Sequence, residues 1–370
     1  MSKVTIRRIH AQPLHIPFRV AFRHASAERS ETSSLWVEAA SDNNLHGHGE
    51  SCPRPCVTNE TLEAARTFVS AHEASLCESV ADLSSLEVWM ADRPAVIDAN
   101  PAAWCAVELA ILDLLSRAAG QSIEAFLSRP SVHGRFQYSA VLGDAGQTAF
   151  RAMAEQFRGL GFSDFKVKLS GDLDRDREKL SVLRDWTGVG IRVDANNLWT
   201  QADEAIRFLR ALGSPLFAVE EPIAANQYAE LSRIAAELDC KIVLDESFLR
   251  VSQFDRLLQA PDRWLINLRV SKMGGLLRSL RIADAARAAN VGLVIGAQVG
   301  ETSVLTRAAL TVAQASLDIV VAQEGAFGTH LLEHDVCEPV LMFGEGGILD
   351  TSRYRSLNQP GFGLSVSKRI

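Results

Sequence analysis

The chain has 370 residues, 47% hydrophobic and 22% charged, an ordinary enzyme composition with room for a barrel of roughly 200 to 250 residues plus a smaller domain. A formal charge of −7 and the lack of any Lys/Arg block argue against a nucleic-acid partner. No apolar run approaches the ~18 residues needed to span a bilayer, and MSKVTIRRIHAQPL lacks a signal-peptide core, so a cytoplasmic protein without a membrane partner is expected.

Residues 1 to about 55 read as a β-meander. VTIRRIHAQPLHI and SSLWVEAAS carry the β-formers, FRVAFRHASAERSE between them reads as a loop, and NNLHGHGES reads as turn chemistry. The six cysteines are scattered, which excludes a disulfide framework in a reducing compartment. Cys52 and Cys56 lie near His46 and His48, but the irregular spacing and Pro53 and Pro55 favour loop and packing residues over zinc. From Asn59 to about Leu127 apolar residues recur at three and four, the spacing of helices, with Pro101 as a start and Gly120 as a stop. An α+β domain over 1–130 is therefore expected.

A β-α rhythm then begins. RFQYSAVLG is the first expected strand and AGQTAFRAMAEQFRGLG the first crossover helix. Strands Phe165–Leu169, Ile191–Asp194, Phe217–Glu220, Lys241–Asp245 and Leu265–Arg269 follow, with amphipathic helices between them, and then 292–298 and 318–323. This gives a barrel over 131–335. From about Leu332 the rhythm is lost; FGEGGILD reads as a hairpin, and the 336–370 tail is expected to return to the first domain.

Five strands end in a charge: Lys168, Asp194, Glu220, Asp245 and Arg269, spaced 26, 26, 25 and 24 residues apart. In a closed β/α barrel such ends converge on one face. Three oxygen-only acids in a row suit a hard cation such as Mg²⁺, with Mn²⁺ a substitute. Spacing alone does not choose between Glu220 and Glu221, or between Asp245 and Glu246, because neighbours on a strand face opposite sides. Lys166 and Lys168, two apart, share a face. Two adjacent ammonium groups beside a cation would depress each other, leaving one neutral lysine as a base.

The KVK, VDAN, VEEP, LDES and SKMGG segments resemble the enolase superfamily, in its muconate-lactonizing-enzyme branch (the mandelate racemase/muconate lactonizing enzyme family). The likeness runs through essentially the whole chain, including GHGES and the Ser51–Thr58 loop. It implies a modified (β/α)7β TIM barrel with an N-terminal α+β capping domain completed by the C-terminal tail, and a homo-oligomer. It also implies that Asp194, Glu220 and Asp245 bind the metal, that Lys168 is the acid/base, and that the metal holds a small carboxylate. Removing a proton α to a carboxylate places a second charge there, which a metal and nearby cations stabilise as an enediolate.

The chain departs from the branch at Arg269, where a second acid/base lysine is usual. Arginine stays protonated and cannot act as a base. Lys272, three positions on, is expected to face away from Arg269 and to lend only outer support. One-base cycloisomerisation or dehydratase-type elimination is therefore the first expectation. Racemisation or epimerisation of an amino acid or N-substituted amino acid is the second, and an inactive carboxylate-binding barrel the third. The seventh strand ends IGAQVGETS without the histidine of the mandelate-racemase branch. Gln298 and Glu301 are read either as polar support or as helix caps, Glu324 as able to reach the mouth, and Asn196 as a support for the metal site. Arg23, His24 and Arg54, in the loops 18–31 and 51–58, are candidates for contacting the distal end of the substrate. No Asp-x-Asp follows the eighth strand, so an ammonium partner of that kind is not expected.

Overall fold

The computed structural model describes residues 3–24, 27–184, 186 and 191–367, and the side chains of 20–24 and 27–29 are outside that description. Strands β1 (Ile6–Leu14), β4 (Ser34–Ser41) and β5 (His46–Ser51) form an antiparallel sheet in the order β1-β4-β5. Between β1 and β4 the expected loop is a two-stranded ribbon, β2 (Pro17–His24) paired with β3 (Ala27–Glu31). Beyond their mutual pairing, the strands reach the rest of the protein near Phe18, which bridges Leu332 and packs into the core, and Arg19, whose N–H donates to Leu331 O at 2.8 Å.

Helices α1 (Leu62–Ser79), α2 (Leu83–Ala91), α3 (Pro94–Ala99) and α4 (Pro101–Ala118) follow. Residues 101–116 of α4 are all buried, as expected for a helix apolar on every side. Pro101 needs no N–H at the first helical position, and Glu60 accepts the next two, from Ala102 and Ala103, at 2.8 and 2.9 Å.

The glycines of HGHGES belong to strand β5, not to the turn. A Cβ on Gly49 would lie 2.0 Å from the Ala106 carbonyl oxygen, and one on Gly47 would lie 2.2 Å from that of Ala110. Strand and helix backbones touch here, which only glycine permits. Gly49→Ala is expected to cost about 1–3 kcal/mol through overpacking, read as a lower urea midpoint; an unchanged midpoint would contradict this packing.

After the short α5 (Ile123–Phe126) the expected first barrel strand divides. β6 (Arg135–Gln137) leaves the barrel, and only β7 (Ala140–Leu142) joins it. The alternation then runs α6 (Gln147–Gly159), β8 (Phe165–Lys168), α7 (Leu173–Arg184), β9 (Ile191–Asp194), α8 (Ala202–Ala211), β10 (Leu216–Glu220), α9 (Tyr228–Leu238) and β11 (Lys241–Leu244). Two 3₁₀ turns, Val251–Arg256 and Pro261–Arg263, stand where an amphipathic helix was expected. The Gln253 amide oxygen accepts from the N–H groups of Leu249 and Arg250, and Pro261 has no N–H to extend a helix. Then come β12 (Trp264–Leu268), α10 (Val270–Met273), α11 (Leu276–Ala288), β13 (Gly292–Ile295), α12 (Ser303–Ala315) and β14 (Val320–Gln323).

The eight strands β7 to β14 lie in sequential order, parallel throughout. Ser139 N–H donates to the Gln323 carbonyl at 2.7 Å, joining the two edges. Ala218, Val243, Leu265, Val294 and Ala322 form a separate apolar cluster within the sheet.

In the tail, β15 (Cys337–Glu338) pairs with β17 (Ser365–Val366), while β16 (Ile348–Asp350) pairs with β6. FGEGGILD does turn back, Gly344 N–H donating to Ile348 O at 2.8 Å, but the strand it delivers finds a partner some 200 residues earlier in the chain rather than closing a local hairpin. The tail also reaches the N-terminal helices: Phe362 N–H donates to Asp113 at 2.9 Å, and Arg117 donates to the Leu364 carbonyl at 2.7 Å.

Two buried carboxylates tie the N-terminal layer to the barrel. Glu50 of β5 accepts from the N–H and hydroxyl of Thr302, the residue that opens α12. Glu108 of α4 accepts from Leu276 and Leu277, the first N–H groups of α11. Burial pushes both carboxyls up to about 8, against the pull of those hydrogen bonds. Among the described residues no helix is long and apolar enough to cross a membrane.

Candidate active site

All five charged strand ends meet at the carboxyl-terminal mouth of the barrel, where a β/α barrel carries its site. Each is the last residue of its strand or the next one, so the apolar strand interior holds it and the loop frees its head. Lys168 Nζ donates to Asp194 at 2.8 Å and to the Asn196 amide oxygen at 3.2 Å. Asn196, in a left-handed turn with φ of 48°, also hydrogen-bonds Asp194 through its side chain. Lys166 shares the face of Lys168 and lies deeper, 3.0 Å from Glu220, 2.7 Å from Glu324 and 3.7 Å from Asp194.

The acidic pairs resolve here. Glu220 turns inward, 2.9 Å from the Asn267 amide and 3.6 Å from Arg269. Glu221 turns away and accepts from Asp245 N, Ser247 N and the Ser247 hydroxyl. Asp245 turns inward, 2.5 Å from Arg269 and 2.7 Å from Lys272. Desolvation of the Glu246 carboxyl beside Asp245 pushes it up to about 7.

One expectation about the lysines changes. Lys272 does not face away. Strand β12 ends at Leu268, and Arg269 opens the single turn of α10, so residues three apart fall on one side. Lys272 Nζ, fully buried, donates to both the carboxylate and the carbonyl of Asp245, at 2.7 Å each. Burial lowers its pKa further than Asp245 restores it. Of Lys166 and Lys168, one of which was expected to be neutral, Lys166 is not lowered by its neighbour: burial opposes its charge, but Glu220, Glu324 and Asp194 outweigh it and raise the pKa. The mutual repulsion of the two ammonium groups is outweighed at Lys166 by the acids at the neighbouring strand ends.

The carboxylates answer in kind. Burial would raise Asp194, but Lys168 and Lys166 hold it low, and Arg269 and Lys272 do the same for Asp245. Glu220 is pushed up by burial and by crowding from Asp194, Glu324 and Asp245, with Lys166 opposing.

Of the other candidates, Glu324 reaches the cluster from the end of β14, pairing with Lys166 and, at 2.8 Å, with Arg192. Gln298 follows β13, its amide oxygen 3.4 Å from Arg269. Glu301 accepts from the Gln298 N–H at 2.6 Å, and burial pushes its carboxyl up to about 7. Arg54 is not a free substrate contact. It is buried, and its guanidinium donates to the carbonyls of Ser33, Pro53 and Val299, knitting the 51–58 loop to the β13 loop. The side chains of Arg23 and His24 lie outside the described residues. Sequence reasoning missed Arg192 and Asn267. Both sit two positions before a named strand end, so the period-two rule that paired Lys166 with Lys168 would have found them.

Among the described residues no three acidic, histidine or cysteine side chains form, in their present rotamers, a group able to hold a metal ion. The reason is local: Lys166 reaches between Asp194 and Glu220, and Arg269 between Glu220 and Asp245. The donor set itself fits a hard divalent cation. It consists of three carboxylates from adjacent strands, all buried, already gathered around positive charge.

Residues 149–370 match the family model described as enolase C-terminal domain-like. The L-Lys-D/L-Arg epimerase of Methylococcus capsulatus is 30% identical over 98% of this chain and 98% of its own length. Two solved structures superpose closely. The dipeptide epimerase of Cytophaga hutchinsonii, complexed with Mg and the dipeptide D-Ala-L-Val, has a TM-score of 0.84 at 22% identity, over 99% of this chain and 97% of that one. The muconate lactonizing enzyme of Pseudomonas fluorescens, complexed with muconolactone, has a TM-score of 0.85 at 23% identity, over 99% and 97%. With its (β/α)7β barrel, its N-terminal α+β layer and its ordered strand-end motifs, the chain belongs to the enolase superfamily, in the mandelate racemase/muconate lactonizing enzyme family.

Proposed function

We propose that the protein epimerises or racemises an amino-acid carboxylate, free or N-substituted, by removing its α-proton and returning one on the opposite face. One observation carries the reading: cationic groups approach the acid row from opposite walls. Lys168 ends the second of eight sequential barrel strands, and Arg269 with Lys272 follows the sixth, half a circumference away. The L-Lys-D/L-Arg epimerase relative supports it, and favours it over the cycloisomerase or dehydratase expected first from Arg269.

Asp194, Glu220 and Asp245 would hold Mg²⁺, or Mn²⁺ on the same oxygens, and the metal when bound would supply positive charge to the substrate carboxylate. The chain's own residues do the rest. Lys168, oriented by Asp194 and Asn196, moves the α-proton on one side. Arg269 keeps its charge and screens the carboxylate of the deprotonated substrate. Lys272, oriented by Asp245, is the lysine available on the far wall. Arg192 and Lys166 fix Glu324 and Glu220 beneath. A small carboxylate suits a mouth so densely charged.

The test is proton NMR in D₂O with Mg²⁺ over a panel of amino acids, dipeptides and N-acyl amino acids. Solvent deuterium at the α-carbon of both configurations is expected, and chelation of the metal should stop it. Exchange in one configuration with a new unsaturated or cyclised product would replace this reading with one-base chemistry, the role Arg269 suits best.

A further inference from the structure

Gln298 stands between the charged cluster and the N-terminal loops, and among the described residues half of its amide is unused. Its Oε1 lies 3.4 Å from Arg269 Nη1. A guanidinium only donates, so the amide oxygen must be the atom on that side and Nε2 must face away from it. The residue is 7% exposed, yet among the described residues Nε2 has no hydrogen-bond partner. A buried donor left unpaired in this way demands an explanation.

The residue is also held. Its backbone N–H donates to Glu301 at 2.6 Å, and Arg54 donates to the carbonyl of Val299, the next residue, at 2.9 Å. Gly300 is packed so closely on the Phe18 ring that a Cβ there would lie 3.0 Å from it. The loop cannot easily turn the amide elsewhere.

We infer that Gln298 selects N-acylated amino acids or peptides over free amino acids, its Nε2 donating to the substrate's acyl carbonyl; this rests on the epimerase reading above. Arg269, which receives the amide oxygen, lies against Asp245, so the group Gln298 reads must sit near the reacting carbon. An acyl carbonyl is three bonds from that carbon. A free amino acid would present an ammonium there, setting donor against donor beside a guanidinium. A neutral amide also matches a neutral oxygen without burying a further charge.

The test uses full-length protein labelled with ¹⁵N-glutamine, in Mg²⁺, with dipeptides and N-acetyl amino acids of acidic, basic and apolar side chains. The Gln298 side-chain signal is identified by its loss in Gln298→Met. It should shift with at least one acylated probe and stay in place with the corresponding free amino acid. Gln298→Met should weaken that probe about tenfold, and Gln298→Glu at least as much, while both variants keep the wild-type unfolding midpoint. An unmoved signal with a bound probe, unchanged affinity in Gln298→Met, or no acylated probe bound would each overturn the inference. Deuterium exchange in the wild type reads the epimerase proposal separately. A shifted signal without exchange removes that proposal and keeps the recognition; exchange with an unmoved signal does the reverse.

Discussion

Lys168→Ala is expected to lower α-proton exchange by about 10²–10⁴-fold, the usual contribution of a positioned acid/base, with little loss of stability. The side chain ends at the mouth, 13% exposed; among the described residues it bonds Asp194 and Asn196, and Asp194 keeps Lys166 and the Asn196 N–H without it. Lys166 lies deeper, engaged by Glu220 at 3.0 Å and Glu324 at 2.7 Å, and is not expected to substitute. The measurement is the deuterium assay, with far-UV circular dichroism as the folding control. A folded variant that exchanges within a few-fold of wild type would move the proton transfer to another group.

Arg307→Ala is expected to be the most destabilising change outside the mouth, at about 3–5 kcal/mol, because it strands a buried charge. Arg307 and Glu124 are both fully buried and paired at 2.6 and 2.9 Å, with Thr311 also donating to Glu124. The same guanidinium donates to the carbonyls of Leu357 and Phe362 in the tail. Burial pushes the Glu124 carboxyl up, but Arg307 and Thr311 hold it below its usual value. A depressed folded pKa stabilises above the unfolded value, roughly 4.3, and that stability is lost as pH falls through the folded one. Without Arg307, burial dominates and the carboxyl must bind a proton to fold, reversing the slope. The deficit in urea unfolding should therefore be largest near pH 7 and shrink below about pH 4. A deficit independent of pH would mean that packing, not the ion pair, was lost.

The architecture was legible because parallel strands buried on both faces read as short apolar runs, and each ended in a charge at a near-constant interval. The acid row was legible for the same reason. What sequence left open was orientation. Glu220 and Glu221 differ only in which way a strand end points, and the Ser247 turn that captures Glu221 is a tertiary fact. Lys272 was misplaced because strand spacing was carried past Leu268 into a helical turn. Arg54 looked available in a loop of prolines and cysteines, whereas three carbonyls from separate segments claim it. The glycines of β5 carried a turn signature, and only the approach of α4 reveals their use.

The two carboxylates that cross between layers set a rule for recombination. Glu50 and Glu108 cap helices belonging to the barrel, so the N-terminal layer holds part of the barrel's local chemistry. Grafting the N-terminal layer of one family member onto the barrel of another should succeed only if the donor brings acids at these two positions and the recipient opens its helices to meet them. A new specificity is therefore more readily reached by changing side chains on the β13 loop, as at Gln298, than by exchanging whole layers.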